Sequence, residues 1–511
     1  MAMPLWLGVS CVGARFAVQQ ASLTLNRIHG ESSVLQRAPA RPCFSGRAPK
    51  SEQTVRISVQ LSGGGAALSS AIAAVDSMGY WHGCLATPLA ASLAQHTVSF
   101  TSGPGALKAS TSGVLVGDVV VCSGQSNMEK PVAYAFNGSA EAAGADAFGH
   151  QIRYVSVPMT NSTTPAWDVG DVRWKVPGAE SLLDFSAVCW MYGRRLAEAN
   201  PTLPLGLIEA AVGGTHIEAW SPPDALARCG TRGLSHHDHC DSCFYNGMIF
   251  PLHKYTVHHI LWYQGEGNVL DGQYACKEAA LISSWRARWH ARSGTNTTLG
   301  FGLVQLSGYD YRSPDRVVAE QRWRQSTAAG YAPNTELKRG VFMAVTMDLA
   351  DPASRDDLDV LSDVHPRFKE QVAERLWRGA RAVVYGESSH YQGPFPASAR
   401  QLGSCACAIE FKWVGGGALR LLRTDLFELR DAQSGAWSNA SATLRGPTSL
   451  RVAATAGAAR DCDAVRYAWW DSPCPPPNDH PGMPANATAV TNCSLYDVTG
   501  QPAPPFKINF R

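Results

Sequence analysis

Hydrophobic and polar positions follow different rhythms in three stretches of this chain. Over residues 21–113 they alternate in short runs, as in Val55-Arg-Ile-Ser-Val-Gln-Leu61 and Thr97-Val-Ser-Phe-Thr101. A period of two sends successive side chains to opposite faces of a strand, and Gly63-Gly-Gly65 between the runs is a turn signal. This stretch predicts a small β-domain, with Val34-Leu-Gln-Arg-Ala-Pro39 as another strand entering a turn.

From residue 114 the strand-length runs lose their polar positions. Residues 114–122, 205–212, 257–263, 300–306 and 341–345 are nearly continuous apolar segments, as strands covered on both faces require. Between them, 187–199, 274–290 and 366–384 read as helices. In the last, Phe368, Val372 and Leu376 recur every four residues, and Pro366 stands where a first turn tolerates proline. Strands alternating with helices predict an α/β unit over 114–386, a parallel sheet flanked by helices on both faces. The β texture returns over 387–511, in 419–422, 450–453 and 464–469, with the proline-rich tracts 473–477 and 502–505 as surface loops.

A chain of 511 residues is too long for one ordinary core, and 45% hydrophobic with 17% charged residues is a globular balance. Lys and Arg number 44 against 42 Asp and Glu, without basic runs, so neither nucleic acid nor an anionic membrane is implied as a partner. No stretch has the apolar length of a membrane span. Fourteen cysteines and sequons at Asn137, Asn161, Asn296, Asn439, Asn486 and Asn492 point to an oxidising, glycosylating compartment, hence a secreted or lysosomal protein. Residues 1–14 form at most a weak signal peptide, since a basic n-region is missing. Most cysteines are therefore expected in disulfides, including those among Cys405, Cys407, Cys462, Cys474 and Cys493. Cys122, inside an apolar strand, is the expected free thiol. The run His236-His-Asp-His-Cys240-Asp-Ser-Cys243 admits two readings, a zinc cluster or a polar loop tied by a disulfide.

Four polar motifs follow the apolar strands. Gly124-Gln-Ser126-Asn-Met128 puts a serine at the carboxyl end of a strand, where α/β proteins bind ligands; its plainer reading is a helix N-cap. Gly213-Gly-Thr-His-Ile-Glu-Ala-Trp220 lets a backbone N–H approach a substrate closely, or makes a simple tight turn. Trp262-Tyr-Gln-Gly-Glu-Gly-Asn268 ends on a neutral amide suited to an oxyanion. Asp363-Val-His365-Pro holds a candidate general base just ahead of a helix.

Blocks in the order Ser, Gly, Asn, His resemble the SGNH hydrolase superfamily. Longer matches resemble the sialate O-acetylesterase family within it: Gly124-Gln-Ser-Asn-Met-Glu129, Gly213-Gly-Thr-x-Ile-Glu-Ala-Trp-Ser221, Trp262-Tyr-Gln-Gly-Glu266, Phe342-Met-Ala-Val-x-Met-Asp348, His365-Pro-Arg-x-Lys369, Gly379-Ala-Arg-Ala-x-x-Tyr-Gly-Glu387, Arg466-Tyr-Ala-Trp469 and Pro502-Ala-Pro-Pro-Phe506. The resemblance runs from about Val34 to the C-terminus. It implies an SGNH-type fold and hydrolysis of acetyl esters on sialic acid hydroxyls, the 9-O-acetyl form first, without metal or cofactor. It further implies Ser126 as nucleophile and His365 as base. The N–H groups of Ser126 and of Gly213 or Gly214, with the Asn268 amide, form the implied oxyanion hole. The third triad member is open. The superfamily often places it three residues before the histidine, which here is Ser362; Asp363 lies two before, Asp348 is an alternative, and a dyad is another. Gln125, Glu266, Arg322 and Gln325 are the candidate substrate contacts, with Arg322 able to pair a sialate carboxylate or to lie on a solvated helix face. Two other functions compete: an acetylesterase of glycans such as xylan, and a non-catalytic carbohydrate-binding protein.

Overall fold

One strand organises the molecule. A computed structural model describes residues 22–103, 107–230, 240–309, 316–354, 363–403, 405–455, 461–474 and 493–510. In it the strand Leu107–Gly124 runs for 18 residues and serves two kinds of sheet. Its first part pairs antiparallel with Ser92–Ser102, followed outward by Thr54–Leu61 and Ser69–Ala74. Its second part has parallel partners on both sides, with Leu205–Ala211 and His259–Tyr263 both ending in register with Gly124. Beyond these lie Ile152–Ser156 on one side, then Gly300–Gln305 and Val341–Val345 on the other, all parallel. Val34–Gln36 adds a short parallel pairing at Leu115–Gly117. The division expected at 113/114 thus falls within a strand, where burial changes from alternating to continuous.

The continuous burial has a direct cause. Val120 and Cys122 join a core built with the helices Ala187–Ala199 and Lys369–Val383, whereas Val119 and Val121 join a separate core with Trp285 and Trp289 of the helix Tyr274–Ser293. Alternate side chains of one strand therefore enter opposite hydrophobic layers, and no polar position is left for solvent. Two expectations shift. The helix predicted from 366 begins at Lys369, because the Arg367 N–H and guanidinium are bound to Asp351 (3.0, 2.8 and 3.0 Å), holding residues before it in a loop. The strand Ile152–Ser156 and the helix Val317–Arg324 were not apparent from periodicity.

The C-terminal region is a seven-stranded antiparallel sheet, from Phe395–Gln401 at one edge to Phe506–Asn509 at the other, with its own core. Arg322 fastens it to the α/β unit. Fully buried, its guanidinium donates to the carbonyls of Leu306, Ser307, Trp470 and Asp471 (2.5–2.9 Å).

Six disulfides join the described cysteines: Cys43–Cys84, Cys122–Cys189, Cys229–Cys276, Cys240–Cys243, Cys405–Cys462 and Cys474–Cys493. The expectation for Cys122 is overturned. Cys189 lies in the first turn of the helix laid over the strand, 5.9 Å away between Cα atoms, so the bridge reaches up to the covering layer, not across the sheet. Among the described residues Cys407, buried in a strand, is the free thiol instead. Cys240 and Cys243 are bonded to each other, which removes both thiolates from a zinc cluster; His236, His237 and His239 lie outside the described residues, as do residues 1–14, Ser362, Asn486 and Asn492. Among the described residues no helix is long and apolar enough to cross a membrane.

Candidate active site

Three of the four motifs sit at the carboxyl ends of three adjacent parallel strands, with the serine strand in the middle. Gly124 has φ +140°, and a Cβ there would stand 2.1 Å from the Tyr263 carbonyl oxygen, so the turn admits only glycine. The Gln125 N–H donates to that same carbonyl (3.0 Å), and Ser126 opens a single helical turn, Ser126–Glu129. This brings the Ser126 Oγ to 2.8 Å from His365 Nε2. The histidine comes from the loop after Val341–Val345 and is tied down through its backbone. Tyr134 Oη donates to the His365 carbonyl (2.6 Å), and Asn127 Nδ2 to the Val364 carbonyl (2.9 Å).

Asn127 is the junction of the site. Besides Val364 it donates to Glu266 Oε1 (2.5 Å), and it accepts from Lys369 Nζ (2.6 Å). The residue beside the nucleophile is thereby fixed to the histidine loop, the Gln264–Asn268 segment and the helix Lys369–Val383. Burial lowers the Lys369 amine to about 7, against the opposing pull of Glu266. Burial likewise raises the Glu266 carboxyl, with the Asn127 hydrogen bond acting the other way.

The glycine loop packs against Ser126: a Cβ on Gly213 would lie 3.4 Å from the Ser126 Cβ. Its N–H donates to Glu129 Oε2 at 2.6 Å. Gly214, at φ +71°, faces open space.

Several expected roles are not carried forward. Asn268 is fully buried and its amide donates to Glu218 (2.8 Å) and Asp271 (3.2 Å), while its oxygen accepts from Gln264 and the Ile217 N–H. Both amide hydrogens are held by carboxylates, one on the helix Ile217–Trp220 and one in its own loop, so this side chain ties the two segments together. Gln125 is also buried; its Oε1 accepts from Gln264 Nε2 and the N–H groups of Gly265 and Gly267 (3.0–3.2 Å), which shapes that loop. Gln325 spans the carbonyls of Gln264 and Val304 and the N–H of Leu306. Arg322, the expected partner of a sialate carboxylate, is the buried interdomain clamp described above. Glu266, the fourth candidate contact, reaches the residue after Ser126 through its hydrogen bond from Asn127. Asp348, the alternative orienting acid, is held bidentately by Arg375 (2.6 and 2.8 Å) and accepts from Tyr496 (3.2 Å). Asp363 is buried.

Asn127, Glu129 and Lys369 were passed over as site residues although all three lie within the quoted motifs. Each of them acts on its neighbours within the fold: Asn127 on Glu266, Glu129 on Gly213 and Lys369 on Asn127.

A serine and a histidine joined at the carboxyl edge of a parallel sheet, beside a glycine loop, define a serine-type esterase site. Residues 116–328 match the family described as carbohydrate esterase, sialic acid-specific acetylesterase. Sialate O-acetylesterase of Homo sapiens is 34% identical over 424 residues, covering 77% of this chain and 75% of that protein. The Mus musculus protein of the same name is 31% identical over 451 residues, covering 77% of each. The crystal structure of a carbohydrate acetylesterase from Xanthomonas citri superposes with a TM-score of 0.76 at 27% identity, over 95% of this chain and 99% of that one. The chain belongs to the sialate O-acetylesterase family of carbohydrate esterases.

Proposed function

We propose that this enzyme removes acetyl groups from the hydroxyls of sialic acids, the 9-O-acetyl ester being the leading substrate, with Ser126 as nucleophile. The observation that carries this reading is the 2.8 Å contact between Ser126 Oγ and His365 Nε2 at the carboxyl edge of the sheet. His365 takes the hydroxyl proton as the Ser126 oxygen attacks the acetyl carbonyl, and the carbonyl π pair becomes the oxyanion. The N–H groups of Ser126 and Gly213 stabilise that charge, each such donor being worth about 100-fold or more in rate. Collapse breaks the bond to the sugar oxygen, which receives the proton from His365; water then repeats the sequence on the acetyl-serine and frees acetate. Asp363, two residues before His365, orients the imidazole. The names of the relatives supply the sugar: they are sialate O-acetylesterases, and the family description is sialic acid-specific.

The six disulfides fit the oxidising compartments, and a secreted or lysosomal location follows as part of the proposal. The division into 21–113, 114–386 and 387–511 likewise stands as a proposal about folding units. The deciding experiment compares acetate release from 9-O-acetyl sialic acid and from acetyl-xylan. Preference for the sialic acid is expected, and equal or higher kcat/KM on acetyl-xylan would overturn the substrate assignment.

A further inference from the structure

The Glu129 carboxylate holds one of the two N–H groups that the proposed mechanism assigns to the oxyanion. Glu129 lies one helical turn beyond Ser126, and its Oε2 takes the Gly213 N–H at 2.6 Å. A Cβ built on Gly213 meets two things first, Glu129 Oε2 at 2.9 Å and the Ser126 Cβ at 3.4 Å, so carboxylate, donor and nucleophile crowd one small space. An N–H already bound to a full negative charge is of little use to a second one, and the charge itself repels the developing oxyanion.

We propose that Glu129 is a gate on the oxyanion pocket: ionised, it occupies the Gly213 N–H and holds the enzyme in a low-activity form; protonated, it yields that donor to the ester carbonyl. This rests on the reading of Ser126 and Gly213 given above. The proton on Glu129 is not consumed in turnover; it decides only which group the Gly213 N–H serves. The surroundings act on the carboxyl in both directions. Glu129 is exposed to solvent; its partial desolvation favours the neutral form, whereas the Gly213 N–H and the Lys130 ammonium favour the ionised one, and the balance lies above an ordinary glutamate. From the strand Leu205–Ala211, Glu209 faces the same carboxyl as a like charge, itself raised to about 7 chiefly by burial. His365 stands on the other side of Ser126 and must be neutral to act as base.

Two opposed titrations follow. Activity rises with pH as His365 loses its proton, and falls again as Glu129 loses its own. Glu129→Gln keeps the side chain's shape without its charge, and Glu129→Ala removes the occupant. The test is the pH profile of kcat/KM for acetate release by the intact enzyme and both variants. In the wild type an alkaline descent is expected; in Glu129→Gln it should vanish, leaving a rate about 10-fold above wild type on the alkaline side and within about 3-fold of it in acid. Glu129→Ala should lose the descent too, whatever its plateau. A descent retained in either variant, or a rate of Glu129→Gln lowered uniformly at every pH, overturns the gate and leaves Glu129 a brace of the Gly213 loop. Labelling with a serine-directed phosphonate separates this from the underlying reading. An adduct on Ser126 with the descent retained overturns the gate alone; an adduct elsewhere overturns the nucleophile and the gate together.

Discussion

Ser126 in the site and Arg322 at the junction with the C-terminal sheet differ in what their removal should do, and the difference is chemical. Ser126→Ala takes away the nucleophile from a turn that Gly124, not the serine, makes possible. We expect kcat below about 1% of wild type with an unchanged unfolding transition, given the roughly 10⁶-fold scale of comparable knockouts. Retention of more activity than that would remove Ser126 from the mechanism. Asp363→Asn should fall by about 10-fold to 10⁴-fold if the carboxylate orients His365; an unchanged kcat in that variant would show a dyad. Arg322→Ala behaves oppositely. It strips four buried carbonyls of one donor and should destabilise the fold by about 3 kcal/mol or more, each unsatisfied group costing about 1–3 kcal/mol, with little change in KM for the enzyme that remains folded. A large rise in KM with normal stability would restore Arg322 as a substrate contact. Ser126 and His365, which the structure places 2.8 Å apart, stood out in the sequence because their neighbours constrain the backbone: a glycine that only a glycine can replace, a proline, and a strand end. The partners of Arg322 and Asn268 within the fold were not legible, because a donor's residue type says nothing of who receives the hydrogen bond. Both have their donors taken up by groups within the protein.

At the scale of elements, the apolar runs were legible because both faces of the central strands are covered. Ile152–Ser156 was not, since its second residue is Arg153, whose guanidinium reaches back to the carbonyls of Gly149 and Ile152 and lets a charged residue pass as strand interior. The C-terminal runs at 419–422, 450–453 and 464–469 each overlap an observed strand, because one face is buried and the alternation survives. Glu209 shows what a carboxyl does inside such a strand. Burial raises it from 4.5 to about 7, although Ser156 Oγ donates to it at 2.6 Å. The folded chain keeps a proton that the unfolded chain has released, so this group's contribution is fully present below about pH 4.5 and is lost as pH rises through about 7. Thermal unfolding followed across that window should show Tm falling with pH in the wild type and a flatter profile in Glu209→Gln. An identical slope in the two would mean that Glu209 is ionised in the folded state.

For the molecule as a whole, twelve cysteines are paired in six disulfides, and Cys407 is not. Thiol titration of the denatured, unreduced chain should therefore find Cys407, with Cys11 as the one further candidate, and Cys122 should react only after reduction. A readily titrated Cys122 would contradict its bridge to Cys189. The long strand Leu107–Gly124 also orders the events of synthesis. Its first part meets Ser92–Ser102 across a short connection as soon as both have left the ribosome, whereas Gly124 must wait for Ala211 and then Tyr263 to be translated. His365 is made later still. The β-rich front of the protein is laid down early, whereas Ser126 follows a strand that gains its second parallel neighbour only once Tyr263 is made, with Gly300–Gln305 and Val341–Val345 still to extend the sheet.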